Sequence, residues 1–107
     1  MFIVENGLGA KDALVNGKIH DTYRIEYYRQ HFQCMYDAIA EDGVDLMGYT
    51  SWACIDLISE STKQMSKRYG FIYVDADDDG KGTYDRYRKD SFYWYQKVIR
   101  NNSIDFE

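Results

Sequence analysis

Glu5 is the residue of this chain best placed for nucleophilic or acid–base chemistry. It follows the apolar run 2–4, which is typical of a short buried β-strand, and it precedes the turn signal Asn6-Gly7. Active sites of α/β folds are built at the carboxyl ends of strands, so a carboxylate here is a candidate catalytic group. Glutamates at strand ends also serve as solvated acids or amide acceptors, and the neighbouring residues must decide between these roles.

A second group of residues has the chemistry to bind an anion. Lys67, Arg68 and Tyr69 are consecutive, and Ser59 and Ser61 precede them in a short polar loop. Cations and hydroxyl donors in this combination suit a phosphate group, and the alternative is a solvated basic patch. Trp52 lies between the two groups in sequence. A tryptophan is usually part of the hydrophobic core, but its indole can also pack beneath a sugar ring.

The acidic run 75–80 matches the first half of a calcium-binding loop. The twelfth position of that loop should be a glutamate and is Arg86, so we interpret the run as a solvated acidic turn. His20 and His31 have no partners at metal-ligand spacing. We therefore predict no metal and no cofactor.

Composition narrows the class of protein further. With 107 residues the chain has room for one domain, and 45% hydrophobic residues are enough for a core. Thirteen Lys and Arg against eighteen Asp and Glu give a net charge of −5, which argues against nucleic acid or an anionic membrane as partner. Cys34 and Cys54, in apolar sequence surroundings, predict neither a disulfide framework nor a zinc site.

These candidate residues need elements to position them. Apolar spacing predicts a helix from Tyr23, preceded by capping oxygens on Asp21 and Thr22 and ended at 42–43. A strand buried on both faces is predicted for 44–54, a short strand for 71–74, and a second helix from 86 or 87 to 100. We expect residues 8–20 to form a surface loop and 101–107 a frayed tail. This order predicts an α/β fold with parallel pairing and an extra hairpin before the last helix.

Three segments resemble a known family. The first segment is Phe-Ile-Val-Glu-Asn-Gly at 2–7. The second is Gly-Tyr-Thr-Ser-Trp at 48–52, followed by Ile-Asp-Leu at 55–57, and the third is Lys-Arg-Tyr-Gly-Phe-Ile-Tyr-Val-Asp at 67–75. Together they resemble the C-terminal part of glycoside hydrolase family 1, in particular its 6-phospho-β-glucosidases. The resemblance covers almost the whole chain.

The resemblance implies a fold and a reaction. The fold is the C-terminal portion of a (β/α)8 TIM barrel, its last two strand-helix units, with 1–107 as a single partial domain. The reaction is retaining hydrolysis of phosphorylated β-glucosides, in which Glu5 is the nucleophile. Asn6 is expected to position Glu5 rather than to react.

The resemblance also implies a substrate site. Trp52 would lie under the sugar, and Lys67 and Tyr69 would hold the 6-phosphate together with a serine. Ser59 is the first candidate, because it stands where unphosphorylated glucosidases of the family carry a glutamate whose charge would repel a phosphate. Ser61 is the alternative if the loop differs in length by one residue.

The resemblance finally implies what this chain does not carry. The acid/base of the family stands in an Asn-Glu-Pro motif, and the chain has no proline, so we expect no turnover by the chain alone. Unpaired strand edges predict a homo-oligomer or association with the missing N-terminal barrel segment. Phosphorylated glucosides arise during uptake, so a cytoplasmic location is expected. The alternatives are a non-catalytic phosphosugar-binding module, with glucose 6-phosphate as ligand, and a structural fragment that self-associates.

Overall fold

A computed structural model describes residues 1–106 and contains two helices and four short strands. The elements are β1 (Phe2–Ile3), α1 (Thr22–Asp42), β2 (Gly48–Tyr49), β3 (Ile72–Val74), β4 (Arg86–Arg88) and α2 (Asp90–Asn101). Strands β1 and β2 pair in parallel across the α1 crossover, as predicted, and β3 and β4 form an antiparallel hairpin. Within residues 1–106, neither helix is long and apolar enough to cross a bilayer.

The parallel pair continues beyond its two-residue strands. The amide of Met47 donates to the carbonyl of Met1 at 2.7 Å, Thr50 to Ile3 at 2.9 Å, and Trp52 to Asn6 at 2.8 Å. The carboxyl ends of both segments therefore lie at one edge, which is where the candidate residues of each segment meet.

The prediction of a strand over 44–54 that is buried on both faces is wrong. Only Gly48–Tyr49 is strand, and Met47 is 76% exposed. β1 is likewise open, because Phe2 is 48% and Val4 74% exposed. Within residues 1–106 the pair has no further neighbouring strand, so alternate side chains stay uncovered.

Helix α1 ends as predicted and begins at Thr22, one residue before the predicted start; the first part of its apolar face packs as the periodicity indicates. Tyr28 is fully buried, Ile25 and Phe32 pack against it, and Ile39 near the end is exposed. The helix ends at Gly43, whose left-handed φ of 67° is the usual conformation after a last turn.

The predicted N-cap of α1 has a different role. The Asp21 side chain makes no capping hydrogen bond to the backbone of its own helix, although it accepts a bond of 2.7 Å from the Arg24 guanidinium in the first turn. Its carboxylate instead accepts the backbone amide of Ser91 at 2.9 Å, and the Ser91 hydroxyl as well, in the first turn of α2. Asp21 therefore satisfies a free amide at the N-terminus of the other helix and ties the two helices together.

Helix α2 begins later than predicted. Residues Arg86–Arg88 are strand β4, which pairs with Ile72–Val74, and the helix starts at Asp90. Alternation in a three-residue strand is too short to be distinguished from a first helical turn.

An aromatic core lies between the helices. Tyr28, Phe71 and Trp94 are buried, and the Tyr28 and Phe71 rings stack with centroids 5.3 Å apart. The prediction of a frayed tail is wrong up to residue 106, because Ile104 and Phe106 pack against this cluster. Glu107 lies outside the described residues.

Candidate active site

An open cleft of about 710 Å³ lies at the carboxyl edge of β1 and β2. It is lined by Glu5, Asn6, Gly7, Trp52, Ser59, Glu60, Ser61, Lys63 and Tyr69. Segments that are distant in sequence thus meet in one cavity, which contains five of the six predicted site residues. Lys67, the sixth, does not line the cleft but lies next to Tyr69, which does.

Glu5 is presented to solvent on a fixed backbone. The ladder bonds of Thr50 to Ile3 and of Trp52 to Asn6 hold the chain on both sides of it. Within residues 1–106 its exposed carboxylate accepts no hydrogen bond, which leaves both oxygens free to react or to bind.

Asn6 is held on both ends of its amide. The Tyr49 hydroxyl donates to Asn6 Oδ1 at 2.9 Å, and Asn6 Nδ2 donates to the Tyr27 hydroxyl at 3.1 Å. Burial raises the pKa of Tyr49 far above its ordinary value, so this donor stays protonated at any working pH. The two tyrosines thereby fix the residue that follows Glu5.

Trp52 forms a wall of the cleft and is 36% exposed. Gly7 packs behind it, since a Cβ at Gly7 would stand 3.4 Å from the Trp52 carbonyl oxygen. Directly after the indole, Ala53 has a left-handed φ of 69°, a conformation that costs an L-residue about 1 kcal/mol and that turns the chain sharply.

The two candidate serines differ in exposure. Ser59 is 2% exposed and Ser61 is exposed, and their hydroxyl oxygens lie 3.3 Å apart. The loop between them is closed by Lys63, whose amide donates to the Ser59 carbonyl at 2.7 Å. Both serines line the cleft, and Ser61 is the one whose side chain is open to solvent.

Lys67 and Tyr69 lie together beside the loop that follows Glu5. The Lys67 ammonium is 5.7 Å from the centroid of the Tyr69 ring. A Cβ at Gly9 would stand 2.6 Å from Tyr69 Cζ and 2.9 Å from Lys67 Cε. The missing side chain at position 9 is what allows both residues to approach this loop.

A buried ionic network joins these segments and was not predicted. It contains three carboxylates and three cations, and the side chain of each is at most 7% exposed: Asp12, Asp21, Asp56, Arg24, Arg68 and Lys89. Lys89 Nζ lies 2.6 Å from Asp12 Oδ2 and 2.8 Å from Asp56 Oδ1. Equal numbers of opposite charges make the burial tolerable.

Two carboxylates of the network show how burial and charge compete. Burial raises the pKa of Asp12, but Arg24 and Lys89 outweigh it and hold that pKa below its usual value. At Asp56 burial outweighs the attraction of Lys89, and the pKa lies above its usual value. Asp12 belongs to the segment 8–20, which was predicted as a surface loop. Its burial was not predicted, because its partners Arg24 and Lys89 lie outside that segment.

The acidic turn at 75–80 is the segment whose sequence comes nearest to a metal-binding motif. Within residues 1–106 no group of three or more His, Cys, Asp and Glu residues is arranged to hold a metal ion. The carboxylates of the turn accept local bonds instead: Asp75 from Thr83, and Asp78 from the Ser66 amide at 2.7 Å. Cys34 and Cys54 are free, but both are exposed rather than buried in apolar surroundings.

The sequence model of glycosyl hydrolase family 1 matches residues 1–104. The chain belongs to glycosyl hydrolase family 1. The 6-phospho-beta-glucosidase AscB of Escherichia coli (strain K12) is 61% identical over 108 residues, covering 100% of this chain and 23% of that protein. The phospho-cellobiase of Klebsiella oxytoca is 62% identical over 103 residues, covering 95% of this chain and 22% of that protein.

Solved structures of family 1 enzymes agree. The family 1 β-glucosidase from Thermotoga maritima superposes with a TM-score of 0.84 at 37% identity, over 98% of this chain and 22% of that one. The chain thus spans less than a quarter of the length of these relatives, and it is a partial segment of the family 1 barrel. The predicted family and fold are confirmed.

In this family 1 segment, two cleft residues were missed by the sequence analysis. Lys63 and Glu60 line the cavity beside Ser61. Both stand in the polar loop between the candidate serines and Lys67, so their position in sequence was the only available signal.

Proposed function

We propose that this chain supplies the nucleophile and the phosphate subsite of a retaining 6-phospho-β-glucosidase. The observation that carries the proposal is the single cleft in which an unengaged carboxylate, an exposed indole and hydroxyl donors converge. The relatives named as 6-phospho-β-glucosidases support the substrate class.

The proposed reaction assigns one role to Glu5. Its carboxylate attacks the anomeric carbon and forms a glycosyl ester, while the bond to the aglycone oxygen breaks and an acid protonates that oxygen. The separate residue that gave up this proton then takes a proton from a water molecule, and the water hydrolyses the ester and restores the Glu5 carboxylate. This chain has no proline and therefore no Asn-Glu-Pro motif, so the acid/base must come from another part of the enzyme.

We assign the phosphate to Ser61, Lys67 and Tyr69, with Trp52 under the sugar ring. Ser61 rather than Ser59 is proposed as the hydroxyl donor, because the Ser59 side chain is buried. A serine, a tyrosine and an ammonium supply donors without a competing negative charge.

The test of the nucleophile is a chimera in which this chain replaces the matched segment of the Escherichia coli relative. We expect the chimera to release 4-nitrophenol from 4-nitrophenyl β-glucoside 6-phosphate, and the 107-residue chain alone to release none. Glu5→Gln should lower kcat of the chimera at least about a thousandfold, whereas Glu41→Gln on an exposed helix end should not. Turnover by the chain alone, dependent on Glu5, would show that the missing acid/base argument is wrong.

The same chimera tests the phosphate subsite. We expect Ser61→Ala to raise KM for the phosphorylated substrate about tenfold, as for one charge-assisted hydrogen bond, and Ser59→Ala to raise it less. The reverse order would return the assignment to Ser59.

Association is the second part of the proposal. Met1, Val4 and Met47 on the β1–β2 pair are 72–76% exposed, and we propose that the remaining barrel segment covers them. Sedimentation velocity of the chain, alone and mixed with the remaining segment of the relative, should show a complex in the mixture. A homo-oligomer that persists in the mixture would favour self-association instead.

A phosphosugar-binding module is the second candidate function, because every proposed phosphate ligand is on this chain whereas the acid/base is not. Calorimetric titration with glucose 6-phosphate and with glucose separates the two. Binding of glucose 6-phosphate alone, abolished by Lys67→Ala, together with an inactive chimera, would favour the module.

A further inference from the structure

The segment that carries the proposed phosphate ligands is anchored through the residue between them. Arg68 pairs with Ala10 through two backbone hydrogen bonds of 2.9 Å, so the chain is extended there and alternate side chains point to opposite sides. Lys67 and Tyr69 share one side, next to Gly9. The Arg68 side chain is 7% exposed and enters the ionic network.

Asp56 contacts this segment at two points. Its Oδ1 accepts the backbone amide of Gly70 at 2.9 Å, and its Oδ2 lies 3.2 Å from Arg68 Nε. The far end of the guanidinium donates to the carbonyls of Ala76 at 2.8 Å and Val74 at 3.2 Å. One carboxylate thus contacts both Arg68, which lies between Lys67 and Tyr69, and Gly70, which follows Tyr69.

The Asp56 carboxylate is itself held in place. Lys89, fully buried, donates to Oδ1 at 2.8 Å and is anchored on its other side by Asp12. A second clamp acts on the same segment, because Arg24 Nη2 donates to the Arg68 carbonyl at 2.8 Å. Ligands whose supporting groups are locked in this way need little reorganisation when a substrate binds.

We propose that Asp56 is a positioning residue for phosphate recognition, acting through Arg68 and Gly70 on Lys67 and Tyr69 without touching the substrate. The proposal rests on the proposed function of the cleft. It separates two roles on one segment: the outward side chains bind the anion, and the inward side chain with its carboxylate determines where they stand.

The test uses the chimera and 4-nitrophenyl β-glucoside with and without its 6-phosphate. Asp56→Asn removes the charge, and Asp56→Glu keeps the charge but displaces the carboxylate. For both variants we expect kcat/KM for the phosphorylated substrate to fall about 10- to 100-fold, mainly through KM, with the unphosphorylated substrate changed less than about threefold. Asp21→Asn is the control for loss of a buried network carboxylate as such, because Asp21 contacts Ser91 and Arg24 but no atom of 67–70, and Arg24 keeps its two bonds to Asp12.

The outcomes are distinguishable. A chimera that does not prefer the phosphorylated substrate overturns the proposed function, whatever Asp56 does. A chimera with that preference, which both Asp56 variants retain, overturns the positioning role alone. Equal loss on both substrates, or failure of both variants to fold, would show a purely structural residue and would also overturn it.

Discussion

Replacing Lys89 by methionine should be the most destabilising single change in the buried network. The ammonium is fully buried and lies 2.6 Å from one carboxylate and 2.8 Å from another, so Lys89→Met leaves Asp12 and Asp56 without the cation they share. Removing one partner of a buried ion pair costs about 3–5 kcal/mol, whereas a domain of this size is stable by about 5–15 kcal/mol. A loss of about 4 kcal/mol raises the unfolded fraction roughly a thousandfold.

The assay is urea unfolding of the 107-residue chain followed by tryptophan fluorescence. With a slope of about 2 kcal/mol per molar urea, the midpoint should fall by roughly 2 M. Lys97→Met, on the exposed face of α2, is the matched control and should change stability by less than about 0.5 kcal/mol. Adding Asp56→Asn to Lys89→Met should recover part of the loss, because it restores equal numbers of buried carboxylates and cations. A loss below about 1 kcal/mol for Lys89→Met would refute the reasoning.

Three further predictions follow from single contacts. Gly70→Ala should abolish a cooperative unfolding transition, since the new Cβ would stand 2.6 Å from the Asp56 backbone nitrogen; a variant as stable as the parent would contradict the contact. Ala53→Gly should raise the free energy of unfolding by up to about 1 kcal/mol by relieving a left-handed φ, and a clear decrease in urea unfolding would speak against strain there. Hydrogen bonds from the Ser66 amide and hydroxyl lower the pKa of the Asp78 carboxyl, so carbon NMR should give this carboxyl a titration midpoint below 3.8. Ser66→Ala, which removes the hydroxyl bond, should raise that midpoint. Because the folded pKa is the lower one, this contribution to stability is present above pH 3.8 and is lost as the pH falls through the folded pKa; a midpoint at or above 3.8 would contradict it.

The buried network explains how a short piece of a barrel keeps its cleft in order. Asp12 comes from the loop after β1, Arg24 from α1, Asp56 from the chain after β2, and Lys89 from the residue before α2. The stretches after β1 and β2 are thereby tied to each other and to both helices. The network holds equal numbers of buried cations and carboxylates, so loss of any member leaves one buried charge in excess.

Helix α1 shows what local patterns predict well. Its apolar period and the stop at Gly43 gave its bounds, because a helix of 21 residues repeats its signal over several turns. The strand predicted for 44–54 failed for the opposite reason. An apolar run records which residues can be buried, and not how many neighbouring strands are present to bury them.

The candidate site divides along the same line. Glu5, Trp52, Ser59, Ser61 and Tyr69 were predicted as site residues from motif and residue type, and the structure brings them into one cleft. Our proposal favours Ser61 over Ser59 because of its exposure, and exposure depends on packing that the sequence of one segment does not report.

The sequence by itself was sufficient for the family, the parallel β–α–β order and the residues suited to the chemistry, because each of these is carried by a short segment. Only the tertiary structure decided the partners of the buried charges. Asp21 reaches Ser91 across 70 residues, and Asp56 reaches Lys89 across 33. A charge shows no sign in its own segment of the distant group that will neutralise it, because that pairing exists only after the chain has brought the two together.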